Sequence, residues 1–299
     1  MMKEKSFPKP IQKIGVLMSI YSKTRIKELI KAIDSIENQE EVSCDLLLNI
    51  DGFIDKKIVN FLNTYEPNGA ISNLKLFKSN KNLGLAASLN NLLLNNFIFY
   101  EFFFRHDSDD FSAKKRFIYQ LNFLKQNPDI DIVGTAFKSF DLEDNKLMVE
   151  SYFPSNHDAI SKAFAYSTPL AHATACFRKS FFIKAGLYQP NHNTLTEDNR
   201  LWYSAFYTGC KFANISKVLY FVGIERNSYK RRSQIKQTII IFKIRFRFVI
   251  YKRLGLPYLL KAIMEFILRL IIAILISLKL DFIANLIVNL YQSLRSRIK

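Results

Sequence analysis

The sequence predicts an α/β fold with a mostly parallel central sheet flanked by helices. Three features predict it. Short apolar runs alternate with helical patterns, the connections are short, and the runs read as apolar throughout rather than as alternating. Such a strand is buried on both faces, as in a parallel sheet between two helical layers.

After Pro8 and Pro10, "IGVLMSI" (14–20) is the first strand. Ile26, Leu29, Ile30, Ile33 and Ile36 then recur at helical spacing. "DLLLNID" (45–51) is a second strand, "IDKKIVNFLNTY" (54–65) a helix and "NLKLFKS" (73–79) a third strand. Gly84 opens a helix with Leu85, Leu89, Leu92 and Leu93 on one face. "FIFYEFFFRHD" (97–107) reads as a fourth strand and "AKKRFIYQLNFLKQN" (113–127) as a helix with Ser112 as its N-cap. "IDIVGTAFKSF" (130–140) is the fifth strand. The second half is less regular: "PLAHATACF" (169–177) suggests a strand, "EDNRLWYSAFYTG" (197–209) a helix and "KFANISKVLYFVG" (211–223) one or two strands.

At 299 residues, with 49% hydrophobic and 23% charged residues, the chain can bury a sizeable core and is not a disordered one. Cys44, Cys176 and Cys210 are widely spaced with no CxxC pair, which argues against zinc and disulfides and for buried thiols in a reducing compartment. The basic N-terminus and the short run "IGVLMSIY" do not make a signal peptide.

Charge divides the chain in two. Residues 230–299 hold 15 Lys and Arg against two acids, Glu265 and Asp281, and so carry +13 of the formal +17. We therefore separate an α/β domain, 1–233, from a basic helical tail, 234–299. The stretch 256–279 has the length of a membrane span, but Lys261, Glu265, Arg269 and Lys279 fall within an arc of roughly 80°. A spanning helix has no use for a polar stripe, whereas an interfacial one requires it. The expectation is a tail on an anionic membrane surface, its stripe in water and Ile263, Phe266, Ile267, Leu270 and Ile274 in the acyl boundary. A second such helix covers 281–297, with Ile283, Leu286, Ile287, Leu290 and Leu294 on one side. Packing of the tail on the α/β domain or on a second subunit, in a homodimer, is the alternative.

The chemistry concentrates in "FFFRHDSDDFSAKKRF" (102–117), where Asp107, Asp109 and Asp110 follow an apolar run. Ligands of α/β sheets sit beyond the carboxyl ends of strands, where Asp51 and this cluster both fall. Carboxylates one residue apart suit Mg²⁺ or Mn²⁺, hard cations that take one or two carboxylates plus substrate phosphates.

From here the residues resemble glycosyltransferase family 2. "RHDSDDFSAKKRFIYQLNFLKQNPDIDIVGT" is similar to the family's acidic cluster, Arg-Phe, Gln and following strand. "VLMSIYSKTRIKELIKAIDSIENQ", "NIDGF", "NKNLGLAASLNNLL", "PLAHATACFRKS", "GLYQPNHNTLTEDNRLWYSAFYTGCKFANI" and "YKRRS" resemble further family segments in the right order, over about residues 14–233. The resemblance implies a GT-A (Rossmann-like) fold of the bacterial surface-polysaccharide type. It also implies inverting transfer of a sugar from a nucleoside-diphosphate donor, a UDP-sugar first, to a hydroxyl of a saccharide or lipid-linked acceptor. The enzyme would work in the cytoplasm, peripheral on the inner membrane.

By that resemblance Asp109 is the direct ligand of Mn²⁺ or Mg²⁺, Asp107 lies nearer the donor ribose or the metal's water, and Asp198 is the base. Asp51, Tyr21, Arg25, Asn82 and Arg105 fall on the donor side, and Ile50 stands where many members carry a further acid. Arg105 touches the diphosphate or pairs with the acids. His172, Glu197, Arg231 and Arg232 are acceptor or diphosphate contacts; a core histidine, a helix N-terminus and a basic face are their plainer readings. Asp110 is a third acid that braces the loop or the helix. His106, His157 and His192 are ordinary, and Trp202 and Tyr203 are core.

Two rivals remain. A metal-dependent nucleotidyltransferase or phosphotransferase would carry a Gly-rich phosphate loop where this chain has "YSKTR". A non-enzymatic binder of nucleic acid or anionic membrane fits the net charge, but residues 1–229 show no nucleic-acid motif, and none is expected as a partner.

Overall fold

The computed structural model describes residues 13–144, 146–190, 195–225 and 234–297. Arg231, Arg232, His192 and the N-terminal segment judged against a signal peptide lie outside the described residues. The first half runs β1 (Ile14–Tyr21), α1 (Ile26–Glu37), β2 (Cys44–Asp51), α2 (Lys56–Thr64), β3 (Ile71–Ser79), α3 (Leu85–Asn96), β4 (Phe102–Arg105), β5 (Phe111–Ser112) and α4 (Arg116–Gln126). The second runs β6 (Ile132–Asp141), β7 (Leu147–Ser151), α5 (His157–Phe164), β8 (Cys176–Arg178), α6 (Lys179–Ala185), α7 (Glu197–Tyr207) and β9 (Phe212–Ile224). Helices α8 (Ile235–Tyr251), α9 (Leu256–Ser277) and α10 (Asp281–Arg297) complete the chain.

Among the described residues one sheet has the order β3-β2-β1-β4-β8-β6-β9-β5, with β7 added to β6. Parallel pairings join β3, β2, β1 and β4, and also β6 and β9; β8 is antiparallel to both β4 and β6, and β5 and β7 are antiparallel to their partners. Side chains of one strand alternate between two cores. Leu17 and Leu47 join α3, α5, α6 and α7 on one face; Val16, Met18, Leu46 and Leu48 join α1, α2 and α4 on the other. This is why the strands read as apolar throughout. All three cysteines are buried and free.

Four expectations change. The run 97–107 is not one strand: Phe97–Phe99 form a 3₁₀ turn that finishes α3, and only Phe102–Arg105 pair, between β1 and β8. An apolar run has the same appearance in both conformations, and Ile98 is 75% exposed on that turn. Residues 169–177 likewise divide into a 3₁₀ turn, His172–Thr174, and the short β8. Ser112 is not an N-cap: α4 starts later, at Arg116, and the Ser112 hydroxyl accepts from the Arg116 guanidinium instead.

The fourth correction concerns the tail. Helix α8 is bound into the first core through Phe248, and Arg245 donates to the Tyr166 carbonyl. Helix α9 packs on α8, with Phe266 stacked on Phe242 at 4.3 Å. Glu265, expected in water, is buried and accepts from Arg269 at 2.7 Å. The stripe is therefore split, because Glu265 and Ala262 face the protein while Lys261 and Lys279 stay exposed. No helix among the described residues is long and apolar enough to cross a membrane.

Candidate functional site

The parallel strands converge on one mouth. In register, Tyr21 lies beside Asp51 and Asp51 beside Ser79, and β4 ends at Arg105 opposite Leu17. The chain then turns through His106–Asp110 and comes back as β5. Three chain segments hold this acidic loop in place.

The first is β4 itself. Arg105 is fully buried; its guanidinium forms an ion pair with Asp107 and donates to the carbonyls of His106 and Leu17. Arg105 thus pairs with the acidic cluster. Burial pushes the Asp107 carboxyl up, but the Arg105 guanidinium outweighs it and holds the group below the usual carboxylate range. One Asp107 oxygen is thus engaged, while the side chain keeps 37% of its exposure. His106 is an ordinary buried histidine, its ring nitrogens near the Asp107 carbonyl at 2.8 Å and Ser35 Oγ at 3.4 Å. Burial, then Arg116, lowers its pKa to about 3 and keeps it neutral.

The second segment is β9. The Asp107 amide donates to the Tyr220 hydroxyl at 3.0 Å, and the Gly223 amide donates to Asp110 Oδ1 at 2.8 Å. Asp110 is buried, and burial together with Asp107 and Asp109 drives its pKa well above the usual range. It braces the loop. Asp109, by contrast, projects at the exposed loop tip. A Cβ on Gly223 would stand 2.5 Å from the Asp109 carbonyl oxygen and 2.5 Å from a Leu142 methyl. Gly223→Ala is expected to leave the fold intact while lowering turnover by roughly tenfold, because it displaces the loop. Steady-state kinetics beside a melting curve would check this, and unchanged turnover would show that the contact is slack.

The third is α4. Arg116 is fully buried and donates to Gln120, Ser112 and the carbonyls of Arg105 and Ala173, with its guanidinium 4.4 Å from the Tyr220 ring centroid. Gln120 reaches Val133 and Thr174, while Gln39 accepts from Phe117 and donates to Ala113. The Arg-Phe, Gln and "SIENQ" positions are therefore scaffold. Their buried polar atoms replace water for backbone groups at the strand ends. Tyr220 was not anticipated; a lone Tyr in an apolar strand carries no signal in the sequence.

At the end of β2, Asp51 is buried and accepts from the amides of Leu83 and Gly84, both at 2.8 Å. It fixes the turn that starts α3. A Cβ on Gly52, at φ +83°, would lie 2.8 Å from the Asn82 amide nitrogen, so only glycine allows the two turns to meet. Asn82 is exposed at this junction, Tyr21 is half-buried, and Arg25 forms an exposed 3.3 Å pair with Glu28.

Across the mouth, α7 begins with Glu197 and Asp198, where the helix dipole favours negative charge. Asp198 Oδ1 accepts from the Asn199 amide at 2.6 Å and side chain at 2.8 Å. Burial, then Asp198, raises the Glu197 pKa to about 7, with smaller influences from Arg105 and Asp107. The two acidic groups, 107–110 and 197–198, thus feel each other. His172 Nε2 lies 2.7 Å from the Tyr188 hydroxyl, and its ring packs edge-on to Trp202. Burial, then Arg105, lowers its pKa to about 3, so it is a neutral, hydrogen-bonded histidine. Trp202 is core, at 1% exposure, and Tyr203 packs against the same cluster.

The Glu197 shift has a consequence for stability. Between pH 4.5 and about 7 the folded chain holds a proton that the unfolded chain has released, so this group's contribution is lost as pH rises through that window. Glu197→Gln is expected to remove that slope. Melting temperatures of wild type and variant across the window would test it, and parallel curves would refute it.

The residues present fit a shared cation rather than a caged one. Among the described residues no group of three or more His, Cys, Asp or Glu is arranged to hold a metal. The carboxylates at the mouth are those of Asp109, which is exposed, and Asp107, which is partly exposed, and one or two carboxylates are what a divalent ion takes when phosphates complete its shell.

Comparison with known proteins follows the same lines. The family profile described as "Glycosyl transferase family 2" matches residues 16–186. An uncharacterized glycosyltransferase of Haemophilus influenzae is 29% identical over 259 residues, 86% of this chain and 91% of the relative. The Escherichia coli UDP-Gal:alpha-D-GlcNAc-diphosphoundecaprenol beta-1,3-galactosyltransferase is 28% identical over 236 residues, 79% of this chain and 83% of that one. Among solved structures, S. aureus TarS 1–349 in complex with UDP-GlcNAc superposes with a TM-score of 0.58 at 14% identity, covering 87% of this chain and 82% of that one. This chain spans 39% of the longer TarS chain.

Proposed function

Since the chain belongs to glycosyl transferase family 2 and has its GT-A fold, we propose that it moves a sugar from a UDP-sugar to a hydroxyl of a lipid-linked saccharide, with inversion. The observation that carries this is the convergence of two acidic groups on one mouth, the loop 107–110 beside the strand ends and Glu197–Asp198 across from it. A displacement reaction needs both: one side to neutralise the leaving diphosphate, the other to take the acceptor's proton.

In this reading Asp109, with Asp107, would hold Mn²⁺ or Mg²⁺. When bound, that ion offsets the charge developing on the leaving group. Arg105 holds Asp107 in orientation from beneath. Asp51 sets the turn at Asn82–Gly84 against which the nucleoside lies, with Tyr21 and Arg25 at the rim. Asp198 accepts the proton of the acceptor hydroxyl as the new glycosidic bond forms and the bond to the diphosphate breaks. Glu197, neutral below about pH 7, leaves Asp198 as the charged member of the pair and can hydrogen-bond the acceptor. His172, within 2.7 Å of the buried Tyr188 hydroxyl, feels the charges of Arg105 and Asp107.

The acceptor class rests on the E. coli relative, named for a diphosphoundecaprenol-linked acceptor, and the donor class on that relative and the UDP-GlcNAc complex of TarS. A lipid-linked acceptor would bring the reaction to a membrane surface, and our reading puts the protein peripheral on its cytoplasmic face. The test is a screen of nucleotide sugars with Mn²⁺ by melting temperature and hydrolysis. UDP-sugars should stabilise the chain and be hydrolysed slowly. If no nucleoside diphosphate stabilises it, while a triphosphate is consumed with release of pyrophosphate, the chemistry is nucleotidyl transfer instead.

A further inference from the structure

The tail helices present an apolar surface that differs from the one their sequence suggests. Along α9 and its C-cap, Leu260, Met264, Ile267, Ile271, Ile274 and Leu278 recur at spacings of four and three, so they share one face. Their exposures run from 41% to 70%. The surface extends into α10 with Phe282 at 82% and Leu286 and Leu290 at 61% each. Water is a poor solvent for such a stripe, and single exposed leucines do not form one.

Charge decides what covers it. Of the tail's two acids, Glu265 is buried against Arg269 and Asp281 is half-buried at the start of α10. Lys236, Lys243, Arg247, Lys261 and Lys279 are all exposed. The exposed charges of α8–α10 among the described residues are thus of one sign. A seam between two copies of α9 would bring cations together with no exposed acid to pair them, which helix pairs avoid at their flanking positions. Anionic headgroups would neutralise the same cations while the acyl boundary takes the stripe.

We propose that the face carrying Leu260, Met264, Ile267, Ile271, Ile274 and Leu278, continued by Phe282, Leu286 and Leu290, docks in the plane of an anionic bilayer. The inference rests on the lipid-linked acceptor reading only for the reason a bilayer is near; the surface itself is argued from exposure and charge. It holds the catalytic mouth to the membrane through α8, whose Phe248 is anchored in the core.

The test uses the full chain and flotation with phosphatidylcholine vesicles, with or without phosphatidylglycerol. Wild type should float only with phosphatidylglycerol and be released as salt screens the headgroups. Met264→Glu with Ile271→Glu should reduce partition at least about tenfold, while the melting temperature and UDP-sugar hydrolysis stay as in wild type. Binding that ignores lipid charge would overturn the proposal. So would a double variant that floats like wild type, or a lipid-free dimer that the double variant splits, which would make the face a homodimer seam. Flotation without any UDP-sugar hydrolysis would leave this surface standing and remove the donor reading instead.

Discussion

Asp198→Asn is expected to abolish transfer to the acceptor, by about 1,000-fold or more, while UDP and Mn²⁺ bind with nearly normal affinity. The magnitude is that of a positioned general base, about 10²–10⁴-fold. The amide is isosteric and keeps the bonds that Asp198 Oδ1 receives from Asn199. The N-terminal end of α7 should therefore keep its shape, and only the capacity to take a proton is removed. Slow hydrolysis of the donor by water should suffer less than transfer, since it does not require the acceptor to be deprotonated in place. Calorimetry with UDP and Mn²⁺ beside single-turnover transfer separates the outcomes. A large loss of nucleotide affinity in a well-folded variant would move Asp198 to the donor site and leave the base unassigned.

If Asp109 holds the cation as proposed, Asp109→Asn should reduce both transfer and donor hydrolysis by at least about 100-fold, because the ion that would offset the leaving diphosphate loses a ligand. Its neighbour provides the contrast. Asp110→Asn removes a buried acid whose pKa already lies well above the ordinary range and which serves the Gly223 amide, so its cost should appear in the melting temperature first. Titrating Mn²⁺ in the assay distinguishes a weakened site from a lost one: the Asp109 variant should need far more metal or fail to saturate. Near wild-type turnover at low Mn²⁺ would show that the ion, if used, is held elsewhere.

The sequence disclosed the site unevenly. The apolar runs identified β1, β2 and β6 because each is buried on both faces, while β3 is an edge strand with only Ile71 buried, and the acids at the strand ends stood out against a basic chain. Where a run was longer than its pairing partners, as at 97–107, composition could not tell a 3₁₀ turn from a strand. What holds the acidic loop was harder to see. Arg116, Gln120 and Gln39 were visible as motif letters, yet their role, satisfying strand-end carbonyls and amides, depends on neighbours over 50 positions away in the chain, such as Ala173 and Thr174. Tyr220 gave no sign at all. The tail shows the opposite failure. Its helical period was plain, but the direction of the stripe was set by packing on α8, where a Glu265–Arg269 pair occupies the inner face that a period-based reading assigns to water.

Strand β8 ties assembly of the sheet to the order of synthesis. It has only three residues, and it alone bridges β4 to β6 in the strand order. The strands β3-β2-β1-β4 have all been made once Arg105 leaves the ribosome, but the outer edge of β4 has no neighbour until Cys176–Arg178 follow. For some seventy residues of elongation, a row of Phe102, Phe103 and Phe104 presents unpaired backbone groups, the kind of edge that recruits foreign strands. Because β8 runs antiparallel to both neighbours, β4 and β6 point the same way, and the segment that leads into β8 arrives beside the carboxyl end of β4. The stitch that closes the nascent sheet is therefore the same one that delivers His172 to the site.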